Sequence, residues 1–414
     1  MTDGRPLVLL RSSWQTHNIG DVAHSPGAIR AMQRFAPDVE VALWPVSVGD
    51  RERRMFADHL PDVELVDGTI VDGVPSDGRL ADALDRAAVL VHGSGPSAVA
   101  ASDVDHWRRR HDKPYGFFGV SFDPLSPTEG TLRELARATA ALPPGHLPDD
   151  DAARLDGAAF VFCRDSISAG YLRSQLTNTS AEFGPDGTFC FDLAEPSYSE
   201  RFHDRFGLAA RGFLCVVPRA RWTPYFRIAG IEPDREMLRR EAVSLAHVDE
   251  DMDLLVTAMR HWTRTTGLPS VVVPEMGYQV EFARRHLAPR IPADLADHVR
   301  FLDEYWQVQQ AAAVYATASA VLSLECHSPI LAMAAGTPAL YLRQPSDTVK
   351  GRMYRDLDAG IVEVGSGATG VLDFLDDVAE RPQRQRERSI RARDAARGRL
   401  REMARTVAET AHRD

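Results

Sequence analysis

His327 is the residue around which chemistry is most readily built. It stands in Leu324-Glu325-Cys326-His327-Ser328-Pro329, between an apolar run and a helix-forming stretch that closes on Gly336-Thr337-Pro338. Ser328 suits the N-cap of that helix and Pro329 its first turn. An imidazole there can act as acid or base near neutral pH. The positive helix end favours anions and lowers the imidazole pKa. Glu325 puts a second titratable group in the same turn.

Other polar groups also follow apolar runs. Asn18, Gly20 and Asp21 lie in the stretch after the first run. Gly20 lets backbone approach a ligand, while Asn18 and Asp21 are equally suited to capping and turns. His92-Gly93-Ser94-Gly95 can turn backbone N–H groups toward an anion or a sugar hydroxyl, or simply form a tight turn. Pro96 and Ser97 exclude the dinucleotide fingerprint. Arg164, before Asp165 and Ser166, can meet a ligand carboxylate or a structural one. Arg219 and Arg221 carry the guanidinium fork that fits carboxylate and phosphate, although plain surface exposure suits Arg221 better. Lys350, in a polar loop, is a candidate anion contact. His24, His92, His106 and His111 lack metal-ligand spacing, so no metal is expected, and no Walker A, HExxH or GxSxG motif occurs.

These positions need strands to carry them. Apolar β-rich runs fall at 7–11, 39–44, 88–92, 115–120 and 159–163, then at 213–217, 270–273, 299–302, 320–324, 338–342 and 360–364. Most are continuous, as in parallel strands buried on both faces. Helical patterns at 26–35, 132–142, 166–175, 251–265, 305–318 and 329–335 alternate with them. The expected class is α/β, with two Rossmann-like parallel-sheet domains facing across a cleft. Their expected bounds are 1–195 and 205–380, with loop chemistry around 184–212 and a surface loop at 142–151. Residues 381–414 form an expected amphipathic helix on the body, with Ala396, Leu400, Met403, Val407 and Ala411 at helical spacing. Ligands of open parallel sheets bind beyond the strands' carboxyl ends, where the polar groups above fall.

The 414 residues carry 48 basic and 59 acidic side chains, a net −11 that argues against a nucleic-acid binder. Only Lys113 and Lys350 are lysine, so the arginine excess limits the weight of any single arginine. No apolar run suits a membrane span or a signal peptide, and four scattered cysteines fit a reducing compartment; a cytoplasmic protein is expected.

Taken in order, the motifs resemble the polysaccharide pyruvyl transferase family. The resemblance rests on Asn18-Ile19-Gly20-Asp21, His92-Gly93-Ser94-Gly95, Gly119 to Pro124, Arg164-Asp165-Ser166-Ile167-Ser168, Arg219, and His327 to Ala332 with Gly336-Thr337-Pro338. It implies a fold like that of GT-B glycosyltransferases. It also implies transfer of a pyruvyl group from phosphoenolpyruvate to sugar hydroxyls, forming a ketal. Phosphoenolpyruvate would be a co-substrate, with no other cofactor. On this reading His327 is the acid/base, Asp21 a possible base and Glu325 a third catalytic-site group. Asn18, Asp21, Gly93, Ser94 and Gly95 wall the acceptor, Arg219 and Lys350 hold donor anions, and Gly20, Arg164 and Ser328 are further substrate-binding positions. The family commonly has arginine where Glu325 stands, and a like charge beside a carboxylate or phosphate costs several kcal/mol. Two alternatives therefore stand: a GT-B glycosyltransferase using a nucleotide sugar, with Glu325 on ribose or sugar hydroxyls, or a non-catalytic ligand-binding relative. The expected partners are a small-molecule donor and a carbohydrate-like acceptor, without nucleic acid or membrane insertion; a homodimer is left open.

Overall fold

The computed structural model describes residues 4–12 and 15–413. Ser13 and Trp14 lie outside them. Seven strands form the first sheet: β1 (Leu7–Ser12), β2 (Glu40–Pro45), β3 (Glu64–Leu65), β4 (Ala87–His92), β5 (Tyr115–Val120), β6 (Phe160–Cys163) and β7 (Ala181–Phe183). All pair in parallel, in the order β3-β2-β1-β4-β5-β6-β7. Six more form the second: β8 (Leu214–Val217), β9 (Ser270–Val272), β10 (Val299–Phe301), β11 (Ala320–Ser323), β12 (Ala339–Arg343) and β13 (Gly360–Glu363). Their order is β10-β9-β8-β11-β12-β13, again all parallel. Each sheet starts in the middle, runs to one edge and then crosses to the other side. That reversal opens a crevice at the carboxyl ends of β1 and β4 and of β8 and β11. The two are Rossmann-like domains facing across a cleft, as expected.

The helices that matter for the site are α1 (Ile19–Phe35), α2 (Ser166–Gln175), α3 (Pro196–Phe206), α4 (Arg235–Thr266), α5 (Val308–Thr317), α6 (His327–Ala334) and α7 (Pro382–Ala411). Structure and expectation differ at several helices. Residues 184–212, read as loop, contain α3, started by Pro196 at its first position and stopped by Gly207 at φ 64°. Phe202 of α3 packs on Phe213 and Trp306 of the second domain. α4 begins sixteen residues before 251, because its amino half is charged and exposed and shows no apolar stripe. The loop expected at 142–151 turns helical at Asp149.

The terminal helix α7 leaves the second domain and returns over the first. Ala396, Leu400, Met403, Val407 and Ala411 are all buried. Arg397 on α7 donates to the Phe189 carbonyl of the first domain and the Ala334 carbonyl of the second. Among the described residues, no helix is long and apolar enough to cross a membrane.

Candidate functional site

The polar groups converge because strand after strand delivers one at its carboxyl end. In the first domain β1 leads to Asn18 and Asp21, β4 to Ser94, β6 to Arg164 and β7 to Asp186. In the second, β8 leads to Arg219, β9 to Glu275, β11 to Glu325 and His327, and β12 to Asp347 and Lys350. Backbone bonds hold the two edges together. Ile19 N–H donates to the Glu275 carbonyl at 3.1 Å and Gly277 N–H to the His17 carbonyl at 3.1 Å. Across the other side, Ser166 N–H donates to Asp356 at 2.8 Å and Val349 N–H to Asp123 at 3.0 Å.

Asn18 caps α1, its side-chain oxygen accepting from Gly20 N–H at 2.8 Å. That turn sets Gly20 against His327: a Cβ at Gly20 would lie 2.3 Å from His327 Cγ and Nδ1. One turn on, α1 presents His24. It is seated by a second close approach, since a Cβ at Gly27 would fall 2.2 Å from the Gly187 carbonyl oxygen. This draws α1 onto the turn that carries Asp186.

His24 and His327 meet edge to edge, with Nε2 atoms 2.9 Å apart. Asp186 Oδ2 lies 3.2 Å from His24 Nε2 and 3.9 Å from His327 Nε2. The far nitrogens also have acceptors. His24 Nδ1 is 3.3 Å from the Ser94 carbonyl, and His327 Nδ1 is 3.1 Å from Glu275 Oε1. If both rings carry their proton on Nδ1, two Nε2 lone pairs and a carboxylate oxygen face one another. The junction then lacks a proton between its acceptors, and unpaired acceptors at this depth are unfavourable. A proton on any member of the chain Glu275–His327–His24 supplies it.

Burial pushes both imidazoles down, His24 to about 4 and His327 to about 3, against the pull of Asp186. Burial would raise Asp186, but His24, Arg164 and His327 overcome it and hold the carboxyl well below its ordinary value. Arg164 donates to Asp186 at 3.1 Å and to Ser121 at 2.9 Å. Asp21 is half-buried, and its ligand atom lies within 4.8 Å of those of both histidines. Burial lifts its carboxyl to about 6.

Beside this junction lies a second network. Arg219 Nε is 3.3 Å from Glu325 Oε1, and its Nη1 donates to Asp347 and Gln344. Glu325 also accepts from Gln279 Nε2 at 2.7 Å. Burial raises Glu325 to about 7. Arg219 is thus already neutralised by two carboxylates. Lys350 differs: its ammonium makes no hydrogen bond or ion pair among the described residues, although it faces Asp21, Glu275, Glu325 and His327.

The structure therefore gathers His327, Glu325, Asp21, Gly20, Asn18, Ser94, Arg164, Arg219 and Lys350 at one cleft. Gly93 and Gly95 continue the β4 edge, Gly93 N–H donating to the Arg11 carbonyl and the Gly95 carbonyl accepting from Ser121 N–H. Ser328 is corrected in detail. α6 begins at His327, so Ser328 is its second residue and does not cap it. Glu275 caps instead, accepting from Ser328 N–H and Oγ–H at 2.7 Å each, and Tyr315 donates to Ser328 Oγ at 3.0 Å. Fully buried, Ser328 orients Glu275 behind His327. His24, Asp186 and Glu275 were not expected at the site. Glu275 and Asp186 obey the same strand-end rule, whereas His24 needed the helix register of α1.

The family model described as polysaccharide pyruvyl transferase matches residues 18–344. No curated protein matches the chain. Among solved structures, UDP-GlcNAc 2-epimerase from Neisseria meningitidis bound to UDP-GlcNAc superposes with a TM-score of 0.56 at 10% identity, over 97% of this chain and 100% of that one. A putative UDP-N-acetylglucosamine 2-epimerase from Listeria monocytogenes gives 0.56 at 10%, over 94% and 91%. UGT71G1 from Medicago truncatula complexed with UDP-glucose gives 0.52 at 9%, over 99% and 100%. At these identities the likeness is one of fold, and that fold is GT-B-like.

Proposed function

We propose, from the premise that the chain belongs to the polysaccharide pyruvyl transferase family, that it moves a pyruvyl group from phosphoenolpyruvate to two hydroxyls of a sugar or glycosylated metabolite. The observation that carries this reading is the Lys350 ammonium, which makes no hydrogen bond or ion pair among the described residues, beside the His24–His327 pair. A half-buried cation that makes no ion pair among the described residues suits an anionic donor, and two imidazoles joined by one hydrogen bond suit an acid when one of them is protonated.

In this mechanism His327 passes that proton to the methylene carbon of phosphoenolpyruvate, and a cationic centre forms at C2. The first acceptor hydroxyl adds to C2 and gives its proton to Asp21, whose carboxyl, lifted to about 6, suits a base that must also release it. The second hydroxyl then adds at C2 as the bond from C2 to the phosphate oxygen breaks. Phosphate departs toward Lys350 with the second hydroxyl's proton. Asp21 returns the first proton to the histidine pair. One ketal and one inorganic phosphate result, and the enzyme is restored. Glu325, neutralised by Arg219, is left to accept a hydrogen bond from an acceptor hydroxyl.

The pairing of Arg219 with Glu325 and Asp347 favours a second reading, a nucleotide-sugar glycosyltransferase, because it removes a donor-binding arginine. Thermal-shift titration with phosphoenolpyruvate and with nucleotide sugars, followed by a phosphate-release assay, separates the two. The first reading expects a shift and phosphate release with phosphoenolpyruvate, and a KM raised at least ~10-fold in Lys350→Ala. A shift with nucleotide sugars alone favours the second. Shifts without turnover in any pairing indicate a binding protein.

A further inference from the structure

The junction that holds the proton has a second use. We propose that His24 Nε2, His327 Nε2 and the Asp21 carboxylate, with Asp186 flanking the two rings, bind one divalent transition-metal ion in place of that proton. The inference concerns the same cleft as the transfer reaction but does not depend on the identity of the donor.

Three observations carry it. First, the ligand atoms converge: those of Asp21, His24 and His327 all lie within 4.8 Å of one another, and Asp186 Oδ2 lies 3.2 and 3.9 Å from the two ring nitrogens. With metal–nitrogen bonds of ~2.05 Å, the Nε2 separation of 2.9 Å already gives a cis angle of about 90°. Opening it by ~0.4 Å reaches the tetrahedral value. Second, each ring is held from behind as a ligating histidine is held. His24 Nδ1 faces the Ser94 carbonyl and His327 Nδ1 faces Glu275, which fixes the tautomer with its Nε2 lone pair forward. Glu275 is itself oriented by Ser328. Third, charge accumulates toward acid. Asp21, Asp186, Glu275, Glu325 and Asp347 outnumber the Arg164, Arg219, Arg343 and Lys350 cations that face them, so a dication meets a net acidic surround. Two imidazoles with carboxylates select zinc, cobalt, nickel or copper over magnesium or calcium.

No spacing along the chain marks such a site, since His24 and His327 stand 303 residues apart. The metal and the catalytic proton would compete for the same lone pairs. A loaded protein would thus have no proton to deliver.

The test is isothermal titration calorimetry of the full chain with Zn2+, checked by the visible d–d absorption of Co2+. Neither needs a donor or an acceptor, so failure of the pyruvyl assignment cannot be mistaken for failure here. The expected result is one Zn2+ per chain, weakened at least ~100-fold in His24→Ala and ~10-fold in Asp21→Asn, with no heat from Mg2+. Should His24→Ala fail to fold, Asp21→Asn at the half-buried ligand carries the test. Absence of Zn2+ binding, or binding unchanged in the folded variants, overturns the proposal.

Discussion

Gly20 has no room for a side chain. Its missing Cβ is filled by the His327 ring, so Gly20→Ala must displace the ring or the α1 turn. A displacement near 1 Å at the reacting group is enough to lower kcat ~100-fold, and the forced methyl should also cost ~1–3 kcal/mol of stability. His327→Ala should remove ~10²–10⁴-fold of turnover in a folded protein, read by phosphate release and circular dichroism. Away from the cleft, His92 makes a different prediction. Its Nδ1 faces the Gly93 carbonyl at 2.8 Å and its Nε2 accepts from Ala100 N–H at 3.2 Å, so it is held neutral. Burial lowers it from 6.5 to about 4. The unfolded chain takes up this proton first. Stability is therefore complete above pH 6.5 and falls through the window from 6.5 to about 4, by about 3 kcal/mol from this residue. Denaturation midpoints against pH should show a flatter acid limb in His92→Gln; an unchanged limb would contradict this.

At the scale of elements, the strand ends were legible and the partners they meet were not. Runs such as 7–11 and 115–120 are apolar throughout because both faces are covered, and the burial of β1 and β5 at every position shows it. From those runs the strand-end rule located Asp21, Arg164, Arg219, Glu325, His327 and Lys350. His24 escaped because it lies on a helix whose start was read at 26; the true start is Ile19, capped by Asn18. Asp186 escaped because Gly184-Pro185-Asp186-Gly187 reads as a turn. Turn composition does not reveal that α1 packs onto this segment through Gly27. Gly27→Ala tests that contact. It should destabilise the protein by ~1–3 kcal/mol by urea denaturation and also impair turnover, because His24 moves with α1. The terminal helix has a separate test. Leu400, fully buried, should cost ~2–5 kcal/mol as Leu400→Ala, with little effect on KM.

For the whole molecule, the governing fact is that the site is complete only where two domains meet. His24 and His327 are 3% and 5% exposed, so the proposed reaction requires the cleft edges to part before a donor reaches them. The bonds that must yield include those of Ile19 and Gly277 at one edge and of Ser166 and Val349 at the other. Asp356→Ala removes the acceptor of Ser166 N–H and should change the KM of the donor more than kcat. Neither domain alone carries both His24 and His327, which is why a reading of either half could not find the junction.

The most direct test is to mix the protein with phosphoenolpyruvate and a panel of sugar and glycoside acceptors, and to follow inorganic phosphate together with acceptor mass. Phosphate released one-for-one with a pyruvyl ketal, and lost in both His24→Ala and His327→Ala, is the predicted result. Turnover retained in full by folded His24→Ala, or transfer from a nucleotide sugar with phosphoenolpyruvate untouched, would contradict the account.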